Sequence, residues 1–249
     1  MGPAVETIHG KESSDAAAEK TRAIRRMFGA IAPTYDLLNR LLSFGVDARW
    51  RRAMVARLPS GPLRVLDLAC TGDVAVTIVR ERPEAQVCGG DLSLPMLRGA
   101  APKIRRWRME DAVAFQALSA EDLPYRDHSF DAVTIAFGIR NVVRRDRALR
   151  EMARVLKPGG SALLLDFSLP PHPLVRAVYG FYFHRMLPLL GGLVSGNFAA
   201  YRYLPKSVEG FPPRAEFASL MEESGFGEVS YRDFTLGVAT LYRGVRTGC

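Results

Sequence analysis

Cysteine is scarce: three residues in a chain of 249, an odd count with no close pairing. That argues against a disulfide framework and for a reducing compartment. Cys70 and Cys88 fall at the ends of expected strands and read as small buried hydrophobes. An apolar leader is missing too. Residues 1–20 are polar, so no signal peptide is expected. Long hydrophobic runs are absent. The most apolar one, residues 186–194, contains one proline and two glycines and is far short of the roughly 18 residues that cross a bilayer. Acidic residues are outnumbered, 26 against 34 Lys and Arg, for a net charge of +8 and a pI near 9.7. Such an excess attracts an anionic partner, whether nucleic acid, an acidic membrane face or an anionic ligand, without choosing among them. Hydrophobic content of 48% and charged content of 24% are ordinary for a globular chain of one large domain. No internal repeat and no expected metal site complicate that reading.

What the chain does have is a stretch around which the rest is arranged: Arg64-Val65-Leu66-Asp67-Leu68-Ala69-Cys70-Thr71-Gly72-Asp73, answered further on by Gly89-Gly90-Asp91. Val65, Leu66 and Leu68 are the apolar run of a buried strand. Gly72 can take the backbone angles of a sharp strand-to-helix turn, and Asp73 suits the first turn of a helix. Residues 86–91 read as the next parallel strand, which ends on a carboxylate. Ligands of doubly wound sheets bind at the carboxyl ends of the strands, and an acidic residue there can accept two ribose hydroxyls. The unit is suited to hold a nucleoside.

The chain around it alternates strand and helix. Residues 1–20 read as a disordered tail or frayed helix, and 21–60 as a basic helical cap, with helices expected over 35–42 and 48–58. The main domain spans 61–249. Its strands are expected at 64–69, 86–91, 113–117, 129–137 and 161–167, with helices at 74–80, 95–100, 145–156 and 216–224. A terminal antiparallel pair is expected at 227–233 and 238–244. Lys157-Pro158-Gly159-Gly160 is expected to end its helix in a glycine turn. About seven strands flanked by helices make a three-layer α/β sandwich, a Rossmann-like sheet with an antiparallel C-terminal strand. Residues 168–213 break the rhythm. They are rich in Phe and Tyr and read as a helical lid whose aromatic core can also wall a pocket for a flat apolar ligand.

Several motifs carry a resemblance. Phe28-Gly29-Ala30-Ile31-Ala32-Pro33-Thr34-Tyr35-Asp36-Leu37-Leu38-Asn39, Phe137-Gly138-Ile139-Arg140-Asn141-Val142 and Ala200-Tyr201-Arg202-Tyr203-Leu204 are the most specific. With Ala120-Glu121-Asp122-Leu123-Pro124-Tyr125 they make the chain resemble the ubiquinone/menaquinone biosynthesis C-methyltransferases, a branch of the class I S-adenosylmethionine-dependent methyltransferases, over residues 27–244. The resemblance implies S-adenosylmethionine as cofactor, with Thr71 and Gly72 at its methionine end, Asp91 at its ribose, Ser119 and Ala120 at the adenine, and Ala136 as a further lining position. It also implies a departure: relatives carry an additional residue, typically glycine, between the positions of Cys70 and Thr71.

The reaction implied is methylation of a ring carbon in a prenylated quinol. The protein must align that carbon with the methyl group and favour loss of the phenolic proton, which a pocket cation or a positioned polar group does. Arg140 is the first candidate, acting through its charge because arginine stays protonated. A salt bridge holding the loop is its alternative role. Asn141 and Tyr201 complete the expected catalytic set, with Tyr35, Asp36 and His184 as lesser candidates. The chain lacks the Asn/Asp-Pro-Pro-Tyr motif of amine methylation and an appended RNA-binding module, so nucleic acid is not expected as a partner. The expected partners are the quinol and an anionic membrane, approached from the cytoplasm through Arg22, Arg25, Arg26, Arg49, Arg51 and Arg52, with a homodimer allowed. Two other functions stay open: methylation of another small phenol, and a degenerate scaffold in a quinone-synthesis complex.

Overall fold

A computed structural model describes residues 4–35, 43, 45–182, 185 and 198–248, with the backbone alone at 4–14 and 198–202. Helix α1 (Ala4–Ile31) leads through a short turn (Ala32–Thr34) toward α2 (Asp47–Val55). The alternating part follows: β1 (Arg64–Leu68), α3 (Asp73–Glu81), β2 (Gln86–Asp91), α4 (Leu94–Arg106), β3 (Val113–Ala117), β4 (Phe130–Ala136), α5 (Arg145–Val155) and β5 (Leu156–Phe167). After it come α6 (Pro173–Phe181), α7 (Phe198–Glu209), α8 (Arg214–Glu223), β6 (Phe226–Phe234) and β7 (Ala239–Arg246). The helix expected over 35–42 lies mostly outside the described residues.

The seven strands form one sheet in the order β3-β2-β1-β4-β5-β7-β6. The first five are parallel, and β7 runs antiparallel to both β5 and β6. The strand order reverses between β1 and β4, which places a ligand-binding crevice at their carboxyl ends. Alternate side chains feed two cores, as a pleated strand requires. Val65, Leu163 and Leu165 join Trp50 and Met54 of α2 and Ala75 and Ile78 of α3 on one face. Leu66, Leu68 and Leu164 join Leu149 and Met152 of α5 and Phe217 and Met221 of α8 on the other.

One expected element takes another form. Lys157-Pro158-Gly159-Gly160 does not cap a helix: α5 stops at Val155, and the four residues lie inside β5. There the pairing register jumps from Phe130 opposite Leu156 to Ala132 opposite Ser161. The reason is local packing. A Cβ on Gly160 would lie 2.8 Å from the Lys157 carbonyl and 3.0 Å from that of Asp131, and Gly159 has φ +76°. Glycine at both positions lets the chain bulge outward and rejoin the sheet.

A candidate ligand cleft at the switch in strand order

The cleft opens where β1 and β4 end. Ala69 and Phe137, the residues that follow these strands, both have positive φ, 51° and 59°. This is a costly conformation for non-glycine residues and one that concentrates at functional sites. Gly138 makes the arrangement fit, since a Cβ there would stand 2.4 Å from the Ala69 Cβ. Counted out to its mouth and including open solvent, the cleft encloses about 810 Å³.

Thr71, Asp91, Ser119, Ala120 and Asn141 line this one cleft, together with Tyr35. Gly72 lies just behind it as the left-handed residue that starts α3, with φ +89°. Ala136 is half-buried beside the core and is not part of the lining. Tyr201 falls in α7, and its side chain, like Asp36 and His184, lies outside the described residues.

Arg140, the first catalytic candidate, is not among the residues that line this cleft. Its guanidinium is buried, with Nη1 donating to Asp166 Oδ1 and to the Phe137 carbonyl, both at 2.6 Å. Burial works to lower its pKa, and the charge and hydrogen bond of Asp166 together with Tyr35 and Tyr203 outweigh it, so the group is held above the ordinary arginine value. These are the contacts of a residue that clamps the β4 loop. The next residue, Asn141, does reach the cleft, and its Oδ1 accepts a 3.1 Å bond from the Tyr203 hydroxyl.

Asp91 is half-buried at the end of β2. Its Oδ1 accepts from the Ser93 amide at 2.6 Å, while Oδ2 has no partner among the described residues. Loss of hydration pushes its pKa up to about 6, against the opposing effect of the Ser93 amide. The Ser93 hydroxyl is buried at the cleft with no hydrogen-bond partner among the described residues, and a buried polar atom left unpaired is costly. The Ser119 hydroxyl is already engaged and accepts from the Glu121 amide at 3.2 Å. Glu121 in turn accepts from the amides of Val143 and Arg144, which ties the loop after β3 to the loop after β4.

The chain is similar to known proteins along nearly its full length. The model of the ubiE/COQ5 methyltransferase family matches residues 15–246. The chain belongs to the ubiE/COQ5 methyltransferase family. It is 52% identical to the ubiquinone/menaquinone biosynthesis C-methyltransferase UbiE of Syntrophotalea carbinolica over 225 residues, 90% of this chain and 94% of that one. It is 50% identical to the demethylmenaquinone methyltransferase of Thermus thermophilus over 222 residues, 88% of this chain and all of that one. Among solved structures, a SAM-dependent methyltransferase from Thermotoga maritima superposes with a TM-score of 0.65 at 20% identity, covering 89% of this chain and 99% of that one. The [4+2]-cyclase SpnF superposes with a TM-score of 0.67 at 17% identity, covering 90% and 95%. These two show the class I methyltransferase fold alone, and the sequence relatives make this ubiE/COQ5 member a methyltransferase.

The structure adds residues to the methyltransferase cleft that were not expected to line it. Thr21, Ile24, Arg25 and Phe28 of α1 form one wall. Nothing in the spacing of a basic helix shows which way it folds back. Ser93 carried a usable signal, since it sits two residues after the strand-ending Asp91 and directly before a helix with Pro95 in its first turn.

Proposed function

We propose that this methyltransferase uses S-adenosylmethionine to methylate a ring carbon of a prenylated quinol, either demethylmenaquinol or a 2-polyprenyl-6-methoxy-1,4-benzoquinol, in respiratory quinone biosynthesis. The observation that carries the cofactor half is Asp91. A half-buried carboxylate with one oxygen unpartnered, beside an orphaned Ser93 hydroxyl, suits a ligand that brings a pair of vicinal hydroxyls. The rest of the lining is compatible. Met96, Leu118, Ile135 and Val142 offer apolar contact to a flat base, and Thr71 lies where an amino-acid end would reach the start of α3. When bound, the cofactor supplies an electrophilic methyl group.

The protein's share of the chemistry is to orient and to bias a proton. Phe28, Tyr35 and Phe137 give the ring an apolar wall that excludes water. Asn141, held through Tyr203 and backed by the Arg140 clamp, offers an amide to the ring oxygen and favours its phenolate form, which pushes electron density into the adjacent carbon. The activities named for the two relatives, ubiquinone/menaquinone biosynthesis C-methylation and demethylmenaquinone methylation, support the quinol half of the proposal.

An isoprenoid tail also implies work at a membrane surface. No helix among the described residues is long and apolar enough to cross a bilayer. On α6, however, Leu174, Val178 and Phe181 are 68%, 65% and 65% exposed. Their spacing puts them on one helix face. From Phe167 to Val208 the chain has no Asp or Glu, while it carries Arg176, Arg185, Arg202 and Lys206. An apolar stripe in a purely cationic segment fits an anionic lipid surface. Of the arginines first considered for that contact, Arg51 is unsuitable: it is buried and paired with Asp47.

Quinone profiling tests the pathway assignment. A strain lacking the gene should accumulate the unmethylated quinone and recover on complementation. An unchanged quinone profile would contradict the assignment.

A further inference from the structure

The turn from β1 into α3 is held from outside the cleft. Lys103, on the neighbouring helix α4, donates from Nζ to the Thr71 carbonyl at 2.7 Å. The same ammonium lies 3.1 Å from Asp73 Oδ1. Ala100 and Lys103, three residues apart on α4, both abut Gly72. A Cβ on Gly72 would meet the Ala100 Cβ at 3.2 Å and the Lys103 Cδ at 3.3 Å. Thr71 lines the cleft and Lys103 does not. In a planar trans peptide the carbonyl and the following N–H point in opposite directions. A Thr71 carbonyl drawn to Lys103 therefore turns the Gly72 N–H away from α4. Glycine at φ +89° has little intrinsic preference for this orientation over the flipped one, so the ammonium supplies the bias. Asp73 is gripped on the other side by Arg51, at 4.0 Å.

We propose that Lys103 is a positioning residue for the amino-acid end of the cofactor, locking the Thr71–Gly72 peptide so that the start of α3 presents its N–H groups to the cleft. The proposal rests on the cofactor reading given above and goes beyond it by separating the two ends of the ligand. Asp91 serves the nucleoside. Lys103 never touches the ligand and serves only its charged, amino-acid end, through Thr71 and Gly72.

The test is calorimetry on the full chain with three probes: adenosine, S-adenosylhomocysteine and S-adenosylmethionine. Lys103→Met keeps the aliphatic stem against Gly72 and removes the ammonium. It should leave the adenosine affinity within about twofold of wild type and weaken both larger ligands about tenfold, the scale of one hydrogen bond to a charged group. Lys103→Arg keeps the cation and should restore most of the loss. Asp73→Asn loosens the same lock from the other side and should shift the larger ligands in the same direction, which keeps the proposal testable if Lys103→Met does not fold. Unchanged affinity for S-adenosylhomocysteine in folded Lys103→Met would overturn the proposal, as would an equal loss of adenosine and S-adenosylhomocysteine. Wild-type protein that binds none of the three would instead overturn the cofactor reading beneath it.

Discussion

Arg140 and Asp166 form a buried ion pair that fastens the loop after β4 to the end of β5. Asp166 accepts from the Arg140 side chain through Oδ1 and from the Arg140 backbone amide through Oδ2, at 2.6 and 3.0 Å. The Phe167 amide adds a further bond to Oδ1 at 2.8 Å. Removing one partner of such a pair strands the other charge away from water. Arg140→Ala should therefore destabilise the fold by about 3–5 kcal/mol, read as a lower midpoint of urea unfolding. A stability equal to wild type would show that the pair does not hold the loop.

Tyr203→Phe probes the same loop more gently. It deletes the 3.1 Å bond to Asn141 and leaves the ring in place. The expected cost is about 0.5–1.5 kcal/mol, appearing as a several-fold lower turnover with cofactor affinity unchanged. A loss of cofactor affinity at constant turnover would move Asn141 from the quinol side of the cleft to the cofactor side.

Asp91 gives a prediction in pH. Its pKa in the free protein is raised to about 6, and ribose hydroxyls are best accepted by the ionised form. Adenosine affinity should be constant above about pH 7 and fall as the carboxylate is protonated below about pH 6. The stability effect has the opposite sign. With the folded pKa above the unfolded one, the folded state binds the extra proton between the ordinary carboxylate range and pH 6. Stability from this group is thus present at low pH and lost as pH rises through 6. Asp91→Asn should raise the melting temperature of the free protein at pH 7.5 and weaken adenosine binding at the same pH. A lowered melting temperature together with intact binding would contradict both signs. Asp67 reinforces the stability trend, since burial raises its pKa to about 6 as well.

The membrane reading is tested at α6. Leu174→Glu, Val178→Glu and Phe181→Glu combined change only exposed positions, so folding and adenosine binding should persist. Co-sedimentation with anionic vesicles should be lost in this variant, and in the wild type it should fall with salt. Equal binding by wild type and variant would remove α6 from the contact.

The parts of this architecture that were legible in the sequence are those written in local periodicity. The strand-turn-helix-strand unit from Arg64 to Asp91, the parallel order of the central strands and the antiparallel end all follow from short apolar runs and their punctuation. What was not legible depends on partners distant in sequence. Arg140 stands at the end of a strand in the sequence, but only the fold brings Asp166 against it. Arg51 looks like one of several surface arginines until Asp47 and the Phe137 ring, 5.2 Å away, close around it. Lys157-Pro158-Gly159-Gly160 has the composition of a helix stop, and only the packing against Asp131 makes it a bulge within β5.

The central claim is that the cleft at the ends of β1 and β4 binds a methyl donor and passes its methyl group to a quinol ring. The most direct measurement is transfer of an isotopically labelled methyl group from S-adenosylmethionine to prenylated naphthoquinol and benzoquinol, followed by mass spectrometry of the extracted quinones, for wild type and Asp91→Ala. The account predicts a ring-methylated product with wild type. With Asp91→Ala it predicts a rate at sub-saturating cofactor lower by the equivalent of about 1.5–3 kcal/mol, recovering toward wild type as cofactor is raised. Wild-type protein that binds the cofactor but labels neither quinol, or an Asp91→Ala rate equal to wild type at every cofactor concentration, would contradict it.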